Sequence, residues 1–321
     1  MSSIAVSLGD PAGIGPEIVV KAWARRAALR LPDFFVVGDR DCLARAAQRL
    51  GASMDGLRID NVALARLETP GKPDSANGEA IVAAIARAVS AARAGEAGAV
   101  VTCPIAKAVL YDSGFRFPGH TEYIADLCGV RAQDGPLMML SAADLRVALV
   151  TIHEPLRQAA ANISRAAIVR TGLILDRALR RDFAIARPRI AIAGLNPHAG
   201  EDGALGHEEI EIINPAAEDL RRAGVNATNA IAPDSLFHAE ARKGYDAALC
   251  MYHDQGLIPI KTLDFWGGVN TTLGLPIVRT SPDHGTAFDV AGKGVAREDS
   301  FIAALRMAHE IAARRKAFAT A

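Results

Sequence analysis

Alternation of strand-like and helix-like segments along this 321-residue chain predicts an α/β fold with mostly parallel sheets. Three observations lead there. Short apolar runs alternate with longer amphipathic stretches. Half of the residues are hydrophobic but only 5% are aromatic, so Ala, Val, Ile and Leu must build the core, as where helices pack on a buried parallel sheet. Every unusual polar cluster follows a strand, which is where open α/β sheets bind ligands. The length suits two sub-domains better than one simple core.

The elements follow in order. IAVSLG (4–9) reads as a strand, and PEIVVKAWARRAALRL (16–31) as an amphipathic helix with Pro16 in its first turn. DFFVVG (33–38) is a strand and residues 41–50 a helix. Residues 77–95 form a helix ended by Gly95, and AGAVVTCP (97–104) is a strand stopped by a proline. PLMML and LRVALVTI, within 136–152, predict a hairpin, which breaks the βα rhythm and places a change of domain near residue 128. A long helix is expected over 163–183 with Asn162 as its N-cap. RPRIAIAGL (187–195) is a strand, and 206–224 a helix ending on glycine. YDAALCM is a strand, VNTTLG and PIVRTS (269–281) are further strand pieces, and 297–318 closes the chain as a helix.

Composition excludes several classes. Lysine plus arginine equals aspartate plus glutamate at 36 each, and no basic stripe is interleaved with aromatics, so nucleic acid is not an expected partner. The four cysteines, Cys42, Cys103, Cys128 and Cys250, form no CxxC pair, which fits a reducing, cytoplasmic compartment. The first residues enter a strand without a charged leader, and no apolar run is long enough for a bilayer, so no membrane is expected.

Chemistry concentrates in the loops. GDPAGIGPEI (9–18) joins a strand to a helix with glycines that permit close backbone approach. It is either an anion-binding helix start or only a tight turn, and it is not the GxGxxG fingerprint. In FPGHTEYIADL (117–127), His120 and Thr121 stand where a helix begins, as substrate hydrogen-bonding groups or, for Thr121, as the N-cap. His153, His198 and His253 each follow a different strand. Parallel strands bring their carboxyl ends to one edge, and three neutral imidazoles there suit a divalent metal with open positions. Lys261, Asn270 and Arg279 are polar groups in apolar surroundings, suited to phosphate or carboxylate, and Arg279 would be costly to bury unpaired. SPDHGTAFDVAGKG (281–294) is a glycine-bearing loop that could wrap a nucleotide or simply connect two elements.

GDPAGIGPEI, PGHTEY, GLNPHAGE, MYHDQGLIPIK, GVNTTLGLPIVRTSPDHGTA and AGKG, in that order, resemble the 4-hydroxythreonine-4-phosphate dehydrogenase family of pyridoxal phosphate synthesis. The likeness runs from residue 5 to about residue 305. GDPAGIGPEI and HGTAFDVAGKG also resemble the wider isocitrate and isopropylmalate dehydrogenase superfamily, which binds NAD without a Rossmann fold. The resemblance implies a two-domain fold of that kind with a cleft between domains. Residues 1–128 with 275–321 would be the cofactor side, and 129–274 the metal-binding and dimerisation domain.

It also implies roles. His153, His198 and His253 would hold one divalent metal (Zn, Co, Mn or Mg) in an active site shared across a homodimer. His120, Thr121, Lys261, Asn270 and Arg279 would bind a small phosphorylated hydroxy acid, with His120 and Lys261 as catalytic groups. Gly13, Gly15, His284, Gly285, Thr286 and Asp289 would bind NAD or NADP. The implied reaction oxidises a secondary alcohol and then releases carbon dioxide. Asp254 would orient an imidazole or cap the helix that follows, and Gln255 and Gly256 would shape the turn. Relatives acting on 4-phospho-D-threonate, 4-phospho-D-erythronate or cyclic diol dicarboxylates keep the substrate open. A catalytically idle nucleotide-binding scaffold is the reading from another class.

Overall fold

The computed structural model describes residues 3–131 and 133–319. The chain divides into two compact units, one running up to Val130 and resumed over Leu275–Lys316, the other from Arg131 to Gly274.

In the first unit, β1 (Ile4–Ser7) is a fully buried apolar run and leads into α1 (Gly15–Arg25). Pro16 sits at the helix start, where its missing N–H costs nothing. The helix ends six residues before the expected position. Beyond Arg25 the Arg26 N–H turns back to Trp23 O, and Arg30 adopts a left-handed φ of 49° that an α-helix excludes. β2 (Phe34–Gly38) precedes α2 (Arg40–Leu50), whose N-cap Asp39 accepts the Cys42 N–H at 2.6 Å and whose C-cap is left-handed Gly51. β3 (Ile59–Asn61), α3 (Gly78–Arg93), β4 (Ala99–Thr102), α4 (Lys107–Asp112) and α5 (His120–Leu127) follow.

The second unit opens with β5 (Leu137–Ala142) and β6 (Leu145–Leu149), paired antiparallel as the hairpin signal predicts. α6 (Leu156–Asn162) takes Asn162 as its last residue, so Asn162 is not the cap of α7 (Arg165–Phe183). Ser164 is, accepting the Ala167 N–H at 3.3 Å. Next come β7 (Arg189–Ala193), a π-turn over Glu209–Ile213, α8 (Asn214–Arg222) and β8 (Asn226–Ile231). Pro215, second in α8, has no N–H to donate, and the helix widens just before it. Then α9 (Pro233–Leu236), α10 (Ala239–Arg242), β9 (Ala247–Cys250), α11 (His253–Leu263) and β10 (Val269–Leu273) complete this unit. The chain returns to the first unit with β11 (Arg279–Pro282) and α12 (Asp299–Ala319).

Strand order in the first unit is β3-β2-β1-β4-β11, all parallel. In the second it is β10-β5-β6-β9-β7-β8, parallel from β6 onward. The cores are aliphatic. Ile85, Ala88 and Val89 of α3 pack with Ala5, Val37 and Val100 in one unit, and Leu140, Val147 and Leu149 with Ala191, Ala248 and Ile260 in the other. Burial of each such Leu or Ile stabilises by about 2 kcal/mol. Among the described residues no helix is long and apolar enough to cross a membrane. All four cysteines are free, three of them buried.

Candidate functional site

Parallel β6, β9 and β7 lie side by side, so the segments that leave their carboxyl ends emerge along one edge. His153 follows β6, His253 opens α11 after β9, and His198 follows β7. The structure brings the first two together, with ring centroids 5.5 Å apart. They line a cavity of about 530 Å³ with Ile152, Glu154, Tyr252 and Asp254. Asp254 Oδ1 stands 2.7 Å from His253 Nδ1, a contact that fixes the orientation of that ring. The N-cap of α11 is Tyr252, so Asp254 is not the cap; it lies in the first turn and spends its carboxylate on the imidazole.

His198 is exposed on a turn of its own. Among the described residues no group of three His, Cys, Asp or Glu able to hold a metal comes together within one chain. The pair of imidazoles, one with a carboxylate partner, is nonetheless a donor set of the kind divalent metals take.

Gln255 closes the connection between β9 and α11 through its side chain, whereas Gly256 already lies in the helix. Gln255 is buried; its Oε1 accepts the Met251 N–H and its Nε2 donates to Gly194 O, each at 2.6 Å, linking the ends of β9 and β7. Gly256 lies inside α11, where a Cβ would stand 2.8 Å from Leu149 Cδ2, so glycine lets the helix press on β6. Farther along α11, Lys261 Nζ lies 5.2 Å from the Phe265 ring. Asn270, on β10, keeps a buried Oδ1 without a hydrogen-bond partner.

The first unit carries a second polar set. Arg279 on β11 is only 3% exposed and donates to Thr102 Oγ1 at 2.6 Å. Burial holds its guanidinium down at about 10, while the Glu122 carboxylate pulls the other way. His120 opens α5; its Nε2 is shielded from solvent and has no hydrogen-bond partner. Burial, reinforced by the positive charges of Arg279 and Lys107, pushes this imidazole well below its ordinary range. Gly119, not Thr121, is the N-cap of α5, and no side chain caps it. Lys107, Thr102 and Glu122 escaped the sequence reading. Glu122 lay within the PGHTEY motif, but nothing along the chain marks Lys107 or Thr102.

The glycine-bearing loops meet. Ile14 N–H donates to Thr286 O at 3.0 Å, and a Cβ on Gly13 would stand 3.0 Å from the same carbonyl. Gly15 serves another purpose: a Cβ there would fall 2.3 Å from Leu8 O, so glycine lets α1 start against the end of β1. Asp10 is buried, accepts the Ala12 N–H at 2.9 Å, and its carboxyl is raised above the ordinary range by burial. His284 Nδ1 lies 3.1 Å from Gly285 O, and Gly285 and Asp289 are exposed.

Taken together, these features define an α/β protein in which His153, His198 and His253 follow three parallel strands while Arg279 and Asn270 stand on strands. The chain belongs to the family described as pyridoxal phosphate biosynthetic protein PdxA, which matches residues 30–308. It is 55% identical to a 4-hydroxythreonine-4-phosphate dehydrogenase of Maricaulis maris, over 97% of this chain and 98% of that protein. A crystal structure of 4-hydroxythreonine-4-phosphate dehydrogenase from Klebsiella pneumoniae matches with a TM-score of 0.86 and 38% identity, covering 97% of this chain and 100% of that one. A terephthalate 1,2-cis-dihydrodiol dehydrogenase structure from Burkholderia xenovorans is more distant, with TM-score 0.65 and 31% identity over 96% of this chain and 98% of the other.

Proposed function

We propose that the chain oxidises and decarboxylates 4-phosphohydroxy-L-threonine to 3-amino-2-oxopropyl phosphate, a step of pyridoxal 5′-phosphate synthesis. The observation that carries this is its 55% identity, across nearly its whole length, to a dehydrogenase named for that substrate. NAD or NADP would supply the hydride acceptor. His153, His198 and His253 would hold one divalent ion, Zn2+, Co2+, Mn2+ or Mg2+. When bound, such an ion supplies Lewis-acid polarisation of the substrate's hydroxyl and carboxylate.

The chain's own groups do the rest. Arg279 and Lys261 hold the anionic ends, and Thr121 and Asn270 add hydrogen bonds. His120 stays neutral near pH 7, because burial, Arg279 and Lys107 oppose its protonation, so it serves the substrate as a hydrogen-bonding group. Gly13, with His284, Gly285, Thr286 and Asp289, receives the dinucleotide; the contact between the two loops supports this, whereas the packing of Gly15 against Leu8 gives it a supporting part. In this reading residues 1–128 with 275–321 form the cofactor side, and 129–274 the metal-binding and dimerisation side. A homodimer with a shared site accords with two exposed ligand histidines and with exposed Leu156, Leu205 and Ile210 in the same unit. Free cysteines suit a cytoplasmic setting.

A second reading, a dehydrogenase of a related substrate, draws on the likeness to the dihydrodiol dehydrogenase. Reduced-cofactor formation on 4-phosphohydroxy-L-threonine, 4-phospho-D-threonate, 4-phospho-D-erythronate and a cyclic diol dicarboxylate separates the two. The first should give the highest kcat/KM. His198→Ala should abolish turnover and lower bound metal; full activity with metal retained refutes the site, and no turnover of any of the four by metal-replete wild type favours an idle scaffold.

A further inference from the structure

The segment that carries His198 has an unusual backbone. From His198 to Asp202 all five residues are left-handed, with φ/ψ of 51/27° at His198, 51/42° at Ala199, 82/−6° at Gly200, 42/61° at Glu201 and 52/30° at Asp202. L-residues avoid this conformation singly, and a whole turn of it persists only where surrounding contacts over-determine it. The turn has backbone bonds of its own, Ala199 N–H to Asn196 O and Leu205 N–H to Gly200 O, and one buried side chain holds the residues that lead into it. Glu209 is 2% exposed. Its Oε1 accepts the N–H groups of Leu195 at 2.7 Å and Asn196 at 2.8 Å, and its Oε2 accepts Asn196 Nδ2 at 2.9 Å.

Space is cut to fit. A Cβ on Gly200 would lie 2.7 Å from Glu209 Oε2, and one on Gly194 would lie 3.1 Å from Oε1. The carboxylate is itself anchored. Glu209 begins the π-turn, its carbonyl accepts the Asn214 N–H, and α8 beyond packs on α7 and β8. Both carboxylate oxygens are therefore engaged with Leu195 and Asn196, and the entry to the left-handed turn is tied to α8 through Glu209.

We infer that Glu209 is the positioning residue for His198: its carboxylate holds the left-handed turn in the conformation that presents the imidazole past the end of β7. The inference rests on the reading of His198 as a metal ligand. Partners of this kind govern metal affinity without being ligands, typically by about 10–100-fold.

The test is titration of metal-stripped, full-length protein with Co2+, following the d–d absorption of the bound ion, alongside circular dichroism and thermal unfolding. Glu209→Ala should weaken Co2+ binding about 10–100-fold with the fold retained. Glu209→Gln keeps an acceptor for the Leu195 and Asn196 N–H groups but sets its amide against Asn196 Nδ2, so it should fall between. Glu211→Gln, on the exposed side of the same π-turn, should bind as wild type. If Glu209→Ala does not fold, Glu209→Gln decides by the same measurement. Lowered thermal midpoints with unchanged Co2+ affinity in both Glu209 variants would make the residue merely structural and overturn the inference. His198→Ala is run in parallel. Should it lose Co2+ while the Glu209 variants do not, the positioning role alone fails; should it bind Co2+ as wild type does, the ligand reading fails and the positioning role falls with it.

Discussion

Replacing Gln255 by Met tests how the ends of β9 and β7 are held together. The side chain is 6% exposed and makes two hydrogen bonds of 2.6 Å, accepting from Met251 N–H and donating to Gly194 O. Methionine matches its length and can do neither. Each buried backbone group left unpaired costs about 1–3 kcal/mol. The thioether's better transfer into an apolar site offsets roughly 1 kcal/mol. Gln255→Met should thus destabilise by about 1–5 kcal/mol. Urea unfolding followed by circular dichroism, with unchanged m-value, measures it. Gln255→Glu adds a discriminating arm. The carboxylate still accepts from Met251 but faces the Gly194 carbonyl, acceptor to acceptor. Protonation restores the donor, so this variant should regain stability relative to wild type as pH falls from about 8 to 5. A Gln255→Met stability within about 0.5 kcal/mol of wild type would refute the reasoning, since surface changes have effects of that size.

His120 gives a pH signature. Burial first, then Arg279 and Lys107, holds its folded-state value well below the ordinary 6.5. As pH drops below that value the unfolded chain takes up a proton that the folded chain refuses. The stability from this group is therefore present above pH 6.5 and is lost towards the folded value. His120→Asn should flatten that part of the stability–pH curve, and identical slopes for the two proteins would count against it. Gly15→Ala places a methyl 2.3 Å from Leu8 O, so α1 or the end of β1 must shift. A destabilisation of about 1–3 kcal/mol in thermal or urea unfolding is expected, and an unchanged midpoint would deny the close approach.

What the chain determined by itself is the run of elements that local pattern controls. Apolar runs became β1, β2, β4 and β9, and the break in rhythm near PLMML became the antiparallel β5–β6 hairpin. Strands β3 and β8 were not legible. IDN and NATNAI are short and largely polar, and they pair because neighbouring strands offer them an edge. Helix ends failed where competing caps stood close together: Asn162 and Ser164 are both good N-caps, and Asn162 is taken as the last residue of α6, leaving Ser164 to cap α7. The arrival of three histidines past three strand ends could be read along the chain, because strand period and turn residues are local. Their relation in space could not. That His153 and His253 lie in ring contact, that four non-glycine residues around Gly200 turn left-handed, and that one of three neighbouring acids, Glu209, is buried against the loop all depend on groups distant in sequence. Hydrogen bonds across 13 and 61 residues, from Asn196 to Glu209 and from Gln255 to Gly194, make those choices, and no local propensity encodes them.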